Sequence, residues 1–373
     1  MTTKPYAMKS SAIAQDAPIS VAAAKRQNTL AGRDLCSIRD LSAADVRLIL
    51  DTAHAVKAHP ELYWHALNAK QLAMFFEKDS LRTRMTFETG INTLGGSAIF
   101  IDQKGSRLGE RETLADVAHN LERWIDVIVL RTYSHETITE MARFARVPVV
   151  NALSDIEHPC QALADIFTLE ERFGDLRGLR LAYVGDGNNV AHSLLLTAVL
   201  TGVNITLASP KGYGPKPEFL AAAEALAAGA EEVPAGTVTC VTDPGEAVAG
   251  ADAIYTDQWT SMGQENEADL RQQIFASYQV NSEMMSLAAP HAVFMHCLPA
   301  RRGNEVTDEV MDSAQSVVFD QAENRMHVQK AILLLLLDAA RDATPLTEGS
   351  GARLEGVRPF TRNPRKRSTQ SSF

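Results

Sequence analysis

Residues 179–208 read LRLAYVGDGNNVAHSLLLTAVLTGVNITLA. An apolar run, 179–184, leads through a Gly- and Asn-rich turn into a helix-length segment, 190–201, and then into a second apolar run, 204–208. Two strands joined through a helix cannot form a hairpin; the crossover makes them parallel neighbours in one sheet. Runs that are apolar without alternation belong to strands covered on both faces. The same alternation continues outward. Strands are expected at 72–76, 97–101, 127–131 and 147–151 on one side and at 238–241, 253–255, 293–296 and 317–319 on the other, with helices at 43–58, 82–94, 113–122, 135–145, 159–173, 190–201, 218–228 and 329–340. The fold class is therefore α/β. The strands fall into two groups, which gives two doubly wound parallel-sheet domains joined by bridging helices, 159–173 among them.

Composition excludes several classes. Lys plus Arg number 36 against 46 Asp plus Glu in 373 residues, a net charge of −10, which argues against nonspecific nucleic-acid binding. The 45% hydrophobic and 22% charged content is that of a globular protein with room for two cores. The run AILLLLL at 331–337 falls far short of the roughly 20 residues that cross a bilayer. Cys36, Cys160, Cys240 and Cys297 are widely spaced with no C-x-x-C pair, which points to a reducing compartment and against a structural zinc site. Residues 1–30 read as a flexible extension; their single arginine, Arg26, counts against an organelle-targeting peptide. Residues 344–373 read as a flexible basic tail.

Several segments carry chemistry. FFEKDSLRTRMTFETG, 75–90, is a strand, a polar turn and a helix start, where unpaired backbone N–H groups, Ser80, Arg82, Thr83 and Arg84 suit an anion; the motif alone fits a Ser80 N-cap with two solvated arginines equally well. No Walker loop is present. In LSDIEHPCQALAD, His158 and Gln161 lie three apart at a helix start and can face one small ligand. Arg131 ends a strand, where parallel sheets present ligand-binding groups. Gly185 and Gly187 fit a dinucleotide fingerprint, but Val190 replaces its third glycine and the next strand ends without a ribose-binding acid, so a dehydrogenase is disfavoured. Asp257, Ser261 and Met262 follow one strand and Cys297 another; the first group suits an amino acid's ammonium and carboxylate.

Taken together, Ser80-Leu81-Arg82-Thr83-Arg84, His158-Pro159-Cys160-Gln161, Gly185-Asp186-Gly187-Asn188-Asn189, Asp257 with Ser261-Met262-Gly263, and His296-Cys297-Leu298-Pro299 resemble, in this order, the motifs of the aspartate/ornithine carbamoyltransferase family. The last two resemble its ornithine branch. The resemblance covers roughly residues 35–337 and implies a carbamoyl-phosphate-binding domain at 31–165, with a C-terminal helix, 328–343, packing back on it, and an ornithine-binding domain at 166–327.

The implied reaction is attack of the ornithine side-chain amine on carbamoyl phosphate, giving citrulline and phosphate. By resemblance, Arg82, Arg131, His158, Asp257 and Cys297 are catalytic. Carbamoyl phosphate is met by Ser80, Leu81, Arg82, Thr83, Arg107, Arg131, His158, Gln161, Cys297, Leu298 and Arg325, and ornithine by Asn189, Asp257, Ser261 and Met262. Arg107 is expected to reach a neighbouring subunit's site. Leu81 and Arg107 depart from the commonest residues of the family at their positions, which affects phosphate affinity rather than the reaction. No metal or organic cofactor is implied. The implied assembly is a homotrimer with active sites at subunit borders, in the cytoplasm. Another acceptor amine, such as putrescine or an acylated ornithine, and a non-catalytic binding protein on the same fold are the competing readings.

Overall fold

The computed structural model describes residues 27–103, 105, 107–229, 234–260 and 265–340. The expected extension 1–30, except its last four residues, and the tail 344–373 lie outside the described residues, as do Ser261 and Met262. Two all-parallel sheets organise the chain. The first contains β1 (Gln71–Phe76), β2 (Ser97–Asp102), β3 (Val127–Arg131) and β4 (Val149–Leu153) in the order β2-β1-β3-β4. The second contains β5 (Arg180–Val184), β6 (Asn204–Ala208), β7 (Val238–Val241), β8 (Ala253–Thr256) and β9 (Val293–His296) in the order β7-β6-β5-β8-β9.

The helices are α1 (Ala43–Ala58), α2 (Leu81–Thr93), α3 (Leu114–Leu121), α4 (His135–Phe144), α5 (Pro159–Phe173), α6 (Asn189–Thr201), α7 (Pro217–Ala228), α8 (Pro244–Val248), α9 (Ala268–Ile274), α10 (Ser282–Leu287), α11 (Asp308–Met311) and α12 (Val318–Leu336). Both faces of each sheet are covered, and β1 shows why its sequence is apolar throughout. Leu72, Met74 and Phe76 point into a large core that also takes residues from α1, α2, α5, α6 and α12, while Ala73 and Phe75 point into a separate core with α3 and α4. In the second sheet Leu181 and Tyr183 join the large core, and Ala182 and Val184 join a core with α8, α10 and α11. The large core is thus common to both sheets, with α5 and α12 packed through it. Among the described residues no helix is long and apolar enough to cross a membrane.

Two expectations are corrected. Residues 317–319 form no strand: Ser316 makes an isolated bridge to Phe294, Val317 caps a helix, and Phe319 is 68% exposed. The last helix also starts at Val318 instead of near 328 or 329 and ends at Leu336. Its first half looks too polar for a buried helix, yet Gln321 and Asn324 are buried because their polar ends are satisfied by residues on other elements, and Arg325 donates to Thr83 at the cleft.

Candidate active site

In each sheet the strand order reverses once, between β1 and β3 and between β5 and β8. Connections leave such a switch point to opposite faces, so a crevice opens at the carboxyl ends of the strands. The two crevices share one cleft of about 300 Å³. Its wall contains Ser80, Leu81 and Arg82 from the β1–α2 turn, Arg131 from the end of β3, and His158 and Gln161 from the start of α5. Across it stand Asn189 after β5, Asp257 after β8, and Cys297 and Leu298 after β9, while Arg325 from α12 lies on the first wall, hydrogen-bonded to Thr83.

One half of the cleft is electropositive. The Ser80 hydroxyl caps α2, accepting from the Thr83 backbone N–H at 3.2 Å, and leaves the helix N-terminus open to the cleft. Three guanidiniums converge there. Burial, then Arg325 and Arg82, pushes Arg131 down to about 10. Arg325 is lowered chiefly by burial with Arg82 as its repelling neighbour, and Arg82 by burial. Charges packed this closely are relieved by an anion. Arg325 Nη2 donates to the Thr83 hydroxyl at 2.8 Å, tying α12 to α2. His158 is held well below its ordinary range by burial, Arg325 and Arg131, so it is neutral near pH 7. Its backbone N–H donates to Ser193 Oγ at 2.9 Å, while ring Nδ1 is buried without a partner.

The other half carries the acid and the thiol. Cys297 Sγ donates to Asp257 Oδ1 at 2.9 Å, and burial together with Asp257 pushes the thiol well above its usual range, so it stays protonated. Asn188 Nδ2 donates to Asp257 Oδ2 at 2.9 Å while its Oδ1 accepts from the Val190 and Ala191 N–H groups and caps α6. Asn189 Nδ2 donates to the Ser154 carbonyl at 2.7 Å. Ligand atoms of Asp257, His296 and Cys297 lie within 4.8 Å of one another. His296 Nδ1, however, already accepts from the Leu298 N–H at 2.8 Å and Nε2 meets Glu305 at 3.2 Å, so its ring is committed to shaping the turn.

Of the described residues named from the sequence as ligand-facing, three do not line this cleft; one is Arg84, which pairs with Glu88 at 3.1 Å and sits over the Phe100 ring. Thr83 is fully buried behind it, with its hydroxyl facing Arg325. Arg107 borders a different cavity and sits over the Tyr133 ring, 5.1 Å from its centroid. Leu81 stands at the cleft with 75% of its surface exposed. Gly187 has a packing role, since a Cβ there would fall 2.2 Å from the Gly214 backbone, whereas Gly185 adopts a φ of +144°. The sequence reading passed over Asp165 and Gln321, buried behind Gln161, and Gln258 and Arg301, which line the cleft. Asp165 had a signal, since it lies one helical turn after Gln161 and so shares its face. Gln321 had none.

Profiles of the aspartate/ornithine carbamoyltransferases match over residues 33–171, the carbamoyl-P binding domain, and over 177–336, the Asp/Orn binding domain. The chain belongs to the aspartate/ornithine carbamoyltransferase family. It is 50% identical over 311 residues to the ornithine carbamoyltransferase of Symbiobacterium thermophilum, covering 83% of this chain and 99% of that protein. The enzyme of the same name from Thermococcus kodakarensis is 47% identical over 83% of this chain and 98% of its own. The solved ornithine carbamoyltransferase of Pyrococcus furiosus superposes with a TM-score of 0.79 at 46% identity, over 83% of this chain and 98% of that one. The Giardia lamblia ornithine transcarbamoylase, at 32% identity, still superposes with a TM-score of 0.75, covering 82% of this chain and 99% of that structure.

Proposed function

We propose that this chain transfers the carbamoyl group of carbamoyl phosphate to the side-chain amine of L-ornithine, giving L-citrulline and phosphate. One observation carries the reading: the electropositive helix terminus and the Asp257–Cys297 pair face each other across a single cleft. The membership of the family and the likeness to ornithine carbamoyltransferases support it.

In this reading Ser80, Arg82, Arg131 and the N–H groups at the start of α2 take the phosphate, with Leu81 contributing only backbone. Arg325 adds charge and, through Thr83, stiffens that turn. As the amine attacks, negative charge gathers on the carbonyl oxygen, where Arg131 and neutral His158 are donors in place before the reaction. Gln161 and the Leu298 carbonyl accept from the carbamoyl NH₂. The nucleophile must be a neutral amine. With a lysine-like pKa near 10.4, deprotonation costs about 4 to 5 kcal/mol at pH 7. Asp257 orients the amine; Cys297, a thiol already donating to Asp257, holds that carboxylate in place. Asn189, with Ser261 and Met262, binds the amino-acid end. We further propose a homotrimer in which Arg107 serves a neighbouring subunit, and a cytoplasmic location, which the free cysteines support.

The test is a two-substrate assay with product identified by mass. Citrulline and phosphate should form in equal amounts only when both substrates are present, and Arg82→Ala should lose roughly 100-fold or more in kcat/KM for carbamoyl phosphate. Saturable binding without product would defeat the reading.

A further inference from the structure

Behind the cleft a chain of side-chain hydrogen bonds runs from a backbone amide to the ligand-facing end of Gln161. The His296 backbone N–H donates to Gln321 Oε1 at 2.9 Å. A backbone N–H can only donate, so the Gln321 amide is fixed with its NH₂ on the far side. That Nε2 donates to Asp165 Oδ1 at 2.7 Å, with the Tyr255 hydroxyl at 3.3 Å. The same Oδ1 accepts from Gln161 Nε2, again at 2.7 Å. Gln161 therefore turns its NH₂ away from the cleft. Its carbonyl oxygen Oε1 is buried with no hydrogen-bond partner, on a residue that lines the cleft.

We infer that the His296 amide, Gln321 and Asp165 form a polarity relay that orients Gln161 as an acceptor, so that the site selects an acyl phosphate bearing an NH₂ group over one bearing a methyl. The inference rests on the proposed reading of the cleft as a carbamoyl-phosphate site and deepens it. Asp165 and Gln321 touch no substrate; they are positioning residues. A glutamine amide is nearly symmetric in shape, so packing alone does not distinguish its two ends, whereas a neighbour that accepts without donating does. Asp165 supplies that acceptor in either protonation state of its other oxygen. The polarity originates at β9, the strand that also delivers Cys297 and Leu298, so both walls around the carbamoyl group are keyed to one backbone position.

The experiment compares two probes of equal size, carbamoyl phosphate and acetyl phosphate, by titration calorimetry in the cold without ornithine. The measured quantity is the ratio of their dissociation constants. In the parent chain acetyl phosphate should bind at least ~100-fold more weakly, because it leaves the Gln161 oxygen unpaired. Asp165→Ala should shrink that ratio roughly 10-fold, and Asp165→Asn, which still offers one acceptor oxygen, should recover most of it. Gln321→Met attacks the same relay from its other end and carries the test should Asp165→Ala not fold. A role in stability alone would weaken both probes alike. A ratio unchanged in Asp165→Ala and Gln321→Met, or equally lost in Asp165→Asn and Asp165→Ala, overturns the inference. A parent chain that favours carbamoyl phosphate yet makes no citrulline when ornithine is added overturns the proposed reaction and leaves the relay standing.

Discussion

Cys297 shows how much a single proton decides. Its thiol donates to Asp257 and burial keeps it protonated, so its part in the site is that of a hydrogen-bond donor. Cys297→Ser, which preserves a donor, should cost less than Cys297→Ala. The alanine variant should lose roughly 10- to 100-fold in kcat/KM for ornithine. His158 supplies a second test. Burial beside Arg325 and Arg131 depresses its pKa, so the folded protein holds it neutral across the working range. The acid limb of kcat/KM for ornithine should then follow the substrate's own ammonium, rising about tenfold per pH unit toward pH 10. A break near pH 6 that disappears in His158→Gln would contradict this assignment. Residues of this kind were legible in the sequence because each sits at a strand end or helix start, where position alone implies access to a crevice. Gln321 was not, since its importance comes from meeting Asp165 of α5, 156 positions away.

Among the elements, the turn between β5 and α6 does two jobs with one side chain. Asn188 caps the helix with its oxygen and steadies Asp257 with its nitrogen. The two functions separate by substitution. Asn188→Ser should keep the cap, with thermal stability near that of the parent, but raise KM for ornithine; Asn188→Ala should also lose about 1 kcal/mol of stability. Melting curves and steady-state kinetics on the same preparations decide it. The strands β3 and β9 were readable to the residue because each is a short apolar run buried on both faces, and β6 and β7 because a helix-length segment or a turn brackets each run. α8 to α11 were missed: they have only 4 to 7 residues, too few for a helical period to emerge from the sequence. The supposed strand at 317–319 failed for the opposite reason. Val317, Val318 and Phe319 have strand-like side chains, but the polar residues after them find buried partners and draw the segment into α12.

For the whole molecule, the two sheets share one continuous core, and the cleft sits where their switch points converge. Arg107 lies outside that cleft, which fits the proposed role in a neighbour's site. If so, Arg107→Ala should lower activity although every residue lining its own cleft is intact. Mixing it with inactive Arg82→Ala chains, after reversible dissociation, should restore turnover, because some borders then combine an unaltered Arg82 with an unaltered Arg107. Light scattering gives the assembly, and absence of any gain on mixing would count against a shared site. The two-sheet plan could be foreseen from the βα alternation, but the meeting of the crevices only from the family resemblance, because it depends on how α5 and α12 thread the common core.

The late position of α12 along the chain bears on biogenesis. Arg325 and Gln321 are made after all nine described strands. A polypeptide emerging from the ribosome could already have both sheets paired and would still lack one of its three converging guanidiniums, the brace on Thr83 and the anchor of the glutamine relay. Products of premature termination before Val318 would therefore be unfinished as ligand traps, and would sequester little of a scarce, unstable acyl phosphate.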